Sequence, residues 1–326
     1  MPRIFITCRI PDSGIQMLTA AFGEQEVVVS PQDGSISPEV LLEGVRGVDA
    51  LLPILTDTID AEVMDAAGAP LKIIANYAVG YNNIDVDVAT ARGIAVTNTP
   101  GVLTETTADL AWALLMTAAR RISESERYLR AGKWDAWGPQ LMLGVDVHGK
   151  TLGIFGMGRI GQAVARRARG FDMRVLYTDV ERLPAATEQE LQAAFVDKAT
   201  LVAESDFISI HCPLLPETTH AFGADEFKAM KQTAVLINTS RGPVVDEAAL
   251  AQALQSGAVF AAGLDVYEEE PKVHPDLLAC ENAVLVPHIG SGSRDTRARM
   301  AEMAAANIIA RLIGETPPNC VNPEVL

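Results

Sequence analysis

Cysteine is scarce in this sequence. The 326 residues include only Cys8, Cys212, Cys280 and Cys320, which lie far apart and form no C-x-x-C pair. This spacing is not typical of a disulfide framework, and it fits thiols that mostly fill the core in a reducing cytoplasm, although two could still pair in the fold. We therefore expect a cytoplasmic protein, and we expect no metal site.

Long apolar runs and an excess of positive charge are also absent. No apolar run approaches the ~20 residues that a transmembrane helix needs, and no signal-peptide core or cleavage site follows the strand pattern at residues 3–8. The formal net charge of −16 argues against nucleic acid or a membrane surface as a partner. It does not argue against a small anionic substrate, which needs only one local cationic pocket.

The remaining composition is that of a soluble globular protein, with 48% apolar and 21% charged residues. The chain is long enough for two domains. Short apolar runs alternate with stretches of helical period, which predicts βα units, parallel sheets and an α/β fold. The predicted strands are 4–6, 27–29, 50–52, 72–75, 94–96, 152–155, 174–177, 207–210, 234–237, 259–262 and 283–286. Helices are predicted at 60–67, with Asp60 as the N-cap, and at 104–121, 162–168 and 294–313.

A glycine turn joins one of these strands to a helix. Gly156, Gly158 and Gly161 form G-x-G-x-x-G between the apolar run 152–155 and the helical pattern that follows. The first glycine permits a tight turn, the second lets the backbone approach a pyrophosphate, and the third lets the helix pack closely on its strand. Helix N-terminal amides then face the phosphates. The strand–turn–helix context therefore predicts a dinucleotide site.

An acidic residue follows the next strand. Asp179 lies eighteen residues after Gly161, where a carboxylate can accept hydrogen bonds from the adenosine ribose and repel a 2′-phosphate. This position favours NAD, and we expect NADH to be preferred. Arg182 could offset the repulsion and admit NADPH, and Asp179 could instead be a solvated turn residue.

Two further segments have alternative interpretations. The loop 76–85 follows a strand, where open α/β sheets place ligands, and Gly80 would let backbone amides approach a carboxylate; a plain Gly/Asn turn is the alternative. A breaker cluster at 99–101 predicts a hinge. Beyond it, Trp134, Trp137 and Met142 predict either an interface or a cap on their own core.

Three residues that could perform chemistry lie at strand ends in the later part of the chain. Arg241 can clamp a carboxylate in a bidentate manner. His288 can supply a proton near neutral pH, and a carboxylate such as Glu270 favours the charged form of a histidine. Hydride transfer to a carbonyl needs both a polarising cation and an acid, although each residue alone could be structural.

Several motifs in order resemble the D-isomer-specific 2-hydroxyacid dehydrogenases, most closely the glyoxylate/hydroxypyruvate reductase branch. They span nearly the whole chain and comprise residues 77–85, 96–100, 156–161, 211–214, 238–242, 263–271 and 287–290. The resemblance implies two doubly wound parallel-sheet domains with a cleft between them. It implies a flavodoxin-like substrate domain of residues 1–99 and 290–326, a Rossmann dinucleotide-binding domain of residues 100–289, and a homodimer formed through the latter.

The resemblance also implies roles for residues. Arg241 would bind and polarise the 2-oxo acid, His288 would be the general acid/base, and Glu270 would orient His288 and keep it protonated. The cofactor site would comprise Thr107, Gly156, Met157, Gly158, Arg159, Ile160, Gly161, Asp179, His211, Cys212, Pro213, Thr218, Thr239, Ser240, Asp265 and Gly290. The substrate pocket would comprise Leu55, Val79 and Gly80, with Trp137 reaching across from the partner chain.

Departures from related families narrow the substrate. The loop 76–80 contains no Arg or Lys, which disfavours a phosphorylated acid, and Val79 stands where related phosphite dehydrogenases have Lys. Glu270 rather than Gln counts against a formate dehydrogenase. The resemblance implies a reductase of glyoxylate or hydroxypyruvate that yields a D-2-hydroxy acid. The alternatives are a phosphite or larger 2-oxo acid dehydrogenase and a non-catalytic NAD(H)-sensing protein.

Overall fold

The computed structural model describes residues 1–32 and 34–326, and these form two compact units. Unit 1 consists of Met1–Leu103 and Ser291–Leu326, and unit 2 consists of Thr104–Gly290. Each unit contains one parallel sheet with an apolar cluster on each face, so the predicted α/β class with two parallel-sheet domains is confirmed. In the described part of the chain, no helix combines the length and apolar character needed to cross a membrane.

Unit 1 is built on a five-stranded sheet. Its elements are β1 (Ile4–Ile6), α1 (Asp12–Phe22), β2 (Val27–Val29), α2 (Pro38–Gly44), β3 (Ala50–Leu52), α3 (Ala61–Ala67), β4 (Ile73–Ala75), α4 (Val86–Ala91) and β5 (Ala95–Thr97), with a helix from the chain end, Arg294–Leu312, that we number α13 after those of unit 2. The strand order β2-β1-β3-β4-β5 is that of flavodoxin-like folds. The predicted cap at Asp60 forms, since its carboxylate accepts the Val63 N–H.

The C-terminal helix completes unit 1 by packing on α1. A Cβ on Gly14 would lie 2.6 Å from the backbone oxygen of Ala301, so only glycine permits this approach. The chain after the helix then covers β5, because Val321 N–H donates to the Val96 carbonyl and Cys320 forms a β-bridge with Thr97. The exposed edge of the sheet is thereby paired.

Unit 2 is built on a seven-stranded sheet. Its elements are α5 (Thr104–Ala119), α6 (Ile122–Arg130), β6 (Thr151–Phe155), α7 (Arg159–Ala168), β7 (Arg174–Thr178), α8 (Ala185–Leu191), β8 (Ala193–Phe195), α9 (Lys198–Glu204), β9 (Phe207–Ile210), α10 (Ala224–Ala229), β10 (Val235–Asn238), α11 (Glu247–Ser256), β11 (Ala261–Leu264), α12 (Pro275–Leu278) and β12 (Ala283–Leu285). The strand order β12-β11-β10-β9-β6-β7-β8 contains the doubly wound Rossmann arrangement. The order reverses next to β6, which leads into the glycine turn.

One strand lies two residues later than the sequence pattern indicates. The pattern placed it at 259–262, before Gly263, but β11 includes Gly263 and ends at Leu264. Glycine is present because α5 packs tightly there: a Cβ would lie 2.9 Å from Leu114 Cβ. The three-residue strand β8 and the nine-residue helix α6 are not among the elements predicted from the sequence.

Candidate active site

The glycine turn after β6 is shaped to let a ligand approach the backbone. Gly156 has φ +95, and a Cβ there would lie 2.5 Å from the Cys212 nitrogen. A Cβ on Gly161 would lie 2.3 Å from the Gly156 oxygen, whereas one on Gly158 would meet nothing within 4 Å. Gly158 is also the N-cap of α7 and provides no side-chain cap, so the first amides of this helix are left for an anion. These features fit a dinucleotide pyrophosphate.

Asp179 is tied to this turn. Its Oδ2 accepts the Met157 N–H at 2.6 Å and its Oδ1 accepts the Val180 N–H at 2.6 Å. Arg182, in contrast, is engaged elsewhere, because its guanidinium forms a two-point contact with Glu188 at 2.9 and 2.8 Å. Glu188 also accepts the Tyr177 hydroxyl at 2.8 Å. The carboxylate of Asp179 therefore has no compensation from this guanidinium.

A histidine–glutamate pair lies beyond β11 and β12. Nδ1 of His288 is 2.7 Å from Oε2 of Glu270, and Oε1 of Glu270 accepts the Tyr267 N–H at 3.1 Å. The pair is partly buried. With Nδ1 facing the carboxylate, Nε2 is the ring nitrogen left to exchange a proton with a ligand. His288 has φ +50, an unusual backbone conformation for a side chain of this size, and such residues cluster at functional sites.

Asp265 fixes the chain on the other side of His288. Its two carboxylate oxygens accept the N–H groups of Ile289 at 2.6 Å and Gly290 at 2.8 Å. Burial raises the pKa of Asp265 to about 6, although these amides and the charge of His288 act in the opposite direction. The histidine is thus held through its ring by one carboxylate and through its following peptides by another.

Arg241 follows β10 in a tightly held loop. Asn238 accepts the N–H and hydroxyl of Ser240 and donates to the Arg241 carbonyl at 2.9 Å. Burial lowers the pKa of Arg241, and the negative charge of Glu270 opposes this effect, so the two groups interact. An arginine nevertheless stays charged near neutral pH. The structure therefore brings together Arg241, Glu270 and His288.

A glycine and a buried carboxylate brace these loops, and the sequence patterns did not reveal them. A Cβ on Gly242 would lie 1.8 Å from the Tyr267 carbonyl carbon, so the Arg241 and Glu270 loops touch backbone to backbone. Glu247, which is buried, accepts the Glu268 N–H at 2.7 Å, and Glu268 accepts the Glu247 N–H at 2.7 Å. The run Glu268-Glu269-Glu270 is visible in the sequence, but the pattern does not show which of its carboxylates accepts the backbone N–H of Glu247.

The comparisons with known proteins bear on this geometry. The family model "D-isomer specific 2-hydroxyacid dehydrogenase, NAD binding domain" matches residues 112–290. A glyoxylate reductase from Korarchaeum cryptofilum is 55% identical over 100% of this chain and 97% of its own length. The chain belongs to the D-isomer-specific 2-hydroxyacid dehydrogenases. The predicted family and its glyoxylate reductase branch are thereby confirmed.

Two solved structures support the same family. A protein from Thermus thermophilus has a TM-score of 0.90 and 46% identity and covers 98% of this chain and 99% of its own. An NADPH-dependent glyoxylate/hydroxypyruvate reductase from Sinorhizobium meliloti, in complex with NADP and malonate, has a TM-score of 0.85 and 34% identity, covering 99% and 97%. This dehydrogenase uses a nicotinamide dinucleotide to reduce 2-oxo acids to hydroxy acids.

The other predicted cofactor residues of the dehydrogenase lie near these loops in unit 2, but their side chains differ in availability. Thr239 Oγ1 is buried without a hydrogen-bond partner among the described residues, as a group awaiting a ligand would be. Thr107 Oγ1 instead donates to the Gly290 carbonyl at 3.2 Å, and Thr218 is bonded to its own loop at Pro213. Nε2 of His211 is paired with the Ser209 hydroxyl, whereas its Nδ1, like Thr239 Oγ1, is buried without a hydrogen-bond partner among the described residues.

Burial decides the ionisation of two of these groups. It lowers the pKa of His211 to about 3 and raises the pKa of Cys212 to about 12, so both are neutral near pH 7. Neither side chain can then neutralise a phosphate, and their segment can serve a cofactor through its backbone.

The non-glycine residues of the glycine turn differ in exposure. Met157 is buried, Ile160 is half-buried, and Arg159 is an exposed cation in the first turn of α7.

The predicted substrate residues are divided between the units. Leu55, Val79 and Gly80 lie in loops after β3 and β4 of unit 1, and Leu55 is 36% exposed. Trp137 lies in unit 2 and is 81% exposed, with Trp134 at 55%. The two tryptophans therefore do not cap a core of their own chain.

Proposed function

We propose that this dehydrogenase reduces glyoxylate or hydroxypyruvate to the D-2-hydroxy acid, with NADH as the preferred cofactor. The observation that carries the proposal is the contact between Glu270 and His288 in a loop region that also holds Arg241. The relatives named above as glyoxylate reductases support the same substrate class.

We assign each residue of the trio a role that its geometry supports. Arg241 binds the substrate carboxylate and polarises its carbonyl through planar N–H donors. Glu270 accepts from Nδ1 of His288 and orients the ring, so Nε2 is the nitrogen that passes a proton to the substrate oxygen. The reduced nicotinamide, when bound, supplies the hydride to the same carbonyl.

The NADH preference rests on Asp179. Its carboxylate is held at the glycine turn, where it would meet the ribose hydroxyls and repel a 2′-phosphate. Arg182 is the nearby cation that could offset this repulsion, but Glu188 holds it with two hydrogen bonds. The Met157 N–H orients the carboxylate in turn.

We also propose a role for each unit and a homodimeric assembly. Unit 1 would serve as the substrate domain and unit 2 as the dinucleotide-binding domain, in a reducing cytoplasm that matches four free cysteines. The apolar side chains exposed between residues 122 and 143 would form a homodimer contact, through which Trp137 reaches the partner's pocket.

The first experiment measures loss of NADH and NADPH absorbance with glyoxylate, hydroxypyruvate, pyruvate and phenylpyruvate. Rapid oxidation with the two smallest polar acids is expected, and reverse assays with D- and L-glycerate test the stereochemistry. His288→Gln should lower kcat by roughly 100-fold or more while NADH binding stays close to wild type. Arg241→Ala should chiefly lower kcat/KM for the acid.

Contrary outcomes are equally clear. A fully active His288→Gln variant would show that the acid lies elsewhere. An unchanged kcat/KM in Arg241→Ala would remove the carboxylate clamp. Tight NADH binding without turnover of any 2-oxo acid would favour a phosphite substrate or a sensing role over the proposed reaction.

A further inference from the structure

Three asparagine side chains hold backbone carbonyls in the two substrate loops of unit 1. Each donates through Nδ2, and the pairs are Asn98 to Val79 at 2.7 Å, Asn76 to Gly80 at 2.8 Å and Asn83 to Ile54 at 3.2 Å. Asn76 is fully buried and the other two are half-buried. Val79 and Gly80 are predicted substrate residues, and Ile54 directly precedes the third, Leu55.

The orientation of a carbonyl decides that of the next N–H. In a trans peptide the C=O and the following N–H point in opposite directions. The N–H groups of Gly80, Tyr81 and Leu55 therefore point away from the asparagines that hold the preceding carbonyls. None of these three N–H groups has an acceptor within residues 1–32 and 34–326. They are donors directed outward, as in backbone concavities that bind anions.

A shared network makes the two loops one rigid support. Asn76 and Asn83 bond to each other in both directions, at 3.0 and 3.3 Å. Asn83 also donates to the Asp57 carbonyl at 3.0 Å, and the buried Asp57 carboxylate accepts the Ile54 N–H at 2.9 Å and the Thr7 hydroxyl at 2.5 Å. Because Asn76 and Asn83 share this network, a change in either of them would disturb both loops.

We propose that Asn76, Asn83 and Asn98 are positioning residues that turn the N–H groups of Gly80, Tyr81 and Leu55 toward the carboxylate of the 2-oxo acid. The inference rests on the proposed function, since it takes these loops as the substrate loops. Uncharged donors of this kind bind a carboxylate equally in the ground and transition states, so they act on KM rather than kcat.

The test replaces each asparagine with alanine and measures kcat and KM for glyoxylate, Kd for NADH and Tm. We expect KM to rise about tenfold per variant, as for loss of one oriented donor, while kcat changes roughly twofold or less and the Kd for NADH is unchanged. Asn98→Ala is the variant most certain to fold, because Asn98 is half-buried and lies outside the network that joins Asn76 and Asn83.

The matched control is Asn322→Ala. Asn322 is buried in the same unit, and its side chain holds the C-terminal segment against β5 by accepting the Val96 N–H at 2.8 Å. It should lower Tm and leave KM unchanged. A wild-type KM in Asn98→Ala, or an equal rise of KM in the control, would overturn the proposal.

Failure of the proposed function can be distinguished from failure of this inference. If the wild-type protein does not reduce glyoxylate, calorimetry with oxalate in the presence of NADH replaces the kinetic readout. Oxalate binding that weakens in the three asparagine variants and not in Asn322→Ala would support the positioning role. Equal binding in all variants, or none in the wild-type protein, would overturn it.

Discussion

Replacing Gly242 with alanine should separate the two loops that carry Arg241 and Glu270. The added Cβ would lie 1.8 Å from the carbonyl carbon of Tyr267 and 1.9 Å from its oxygen. Ordinary carbon contacts are about 3.5 Å, so the backbones must move apart by about 1.7 Å. Since the neighbour is backbone rather than a flexible side chain, no rotamer change can relieve the contact.

The expected loss of catalytic efficiency is at least as large in free energy as the typical loss of stability, since 100-fold corresponds to about 2.7 kcal/mol. Overpacking typically costs about 1–3 kcal/mol of unfolding free energy, whereas a misplacement of about 1 Å can lower activity roughly 100-fold. Gly242→Ala should therefore fold with a lower Tm and lose at least this much kcat/KM for the 2-oxo acid. The Kd for NADH should change less than kcat/KM, because the glycine turn at 156–161 is not in this contact, whereas the predicted cofactor residues Thr239 and Ser240 lie in the displaced loop.

Gly170→Ala is the matched control. A Cβ on Gly170 would meet nothing within 4 Å, and its φ is not positive, so both Tm and kcat/KM should stay at wild-type values. The assays are NADH oxidation, fluorescence titration with NADH and thermal unfolding. If Gly242→Ala has the wild-type kcat/KM, the close backbone contact does not hold Arg241 and Glu270 in their relative positions, which refutes the prediction.

Two further predictions concern charge. Burial raises the pKa of Asp265 to about 6, above the ordinary value near 4 that it has in the unfolded chain. The folded protein therefore binds this proton more tightly than the unfolded chain does. The resulting stabilisation, up to roughly 3 kcal/mol, is present below about pH 4 and is lost as pH rises through 6. The unfolding free energy of the wild type minus that of Asp265→Asn should fall accordingly between about pH 4 and 7.5 in urea titrations; a pH-independent difference would contradict it. Asp179→Ser should raise kcat/KM with NADPH about tenfold and lower it with NADH, and an unchanged cofactor ratio would show that Asp179 does not discriminate.

The fold could be predicted well where the pattern was local. The strands 4–6, 27–29, 50–52 and 207–210 have the predicted bounds, since short apolar runs between turn signals specify buried parallel strands. The error at β11 arose because Gly263 weakens a strand by propensity, while close packing of Leu114 requires it. Tertiary contact overrode the local preference there.

The sequence by itself determined the α/β class, the dinucleotide turn and the family, because glycine spacing and strand–helix alternation are properties of contiguous residues. It also indicated Arg241, Glu270 and His288 as candidate catalytic residues. The resemblance already implied that Glu270 meets His288. Only the tertiary structure decided that Asp265 holds the peptides after His288 and that Glu188 withdraws Arg182. Hydrogen bonds join groups far apart along the chain, and their direction depends on where separate strands end, so no local pattern encodes them.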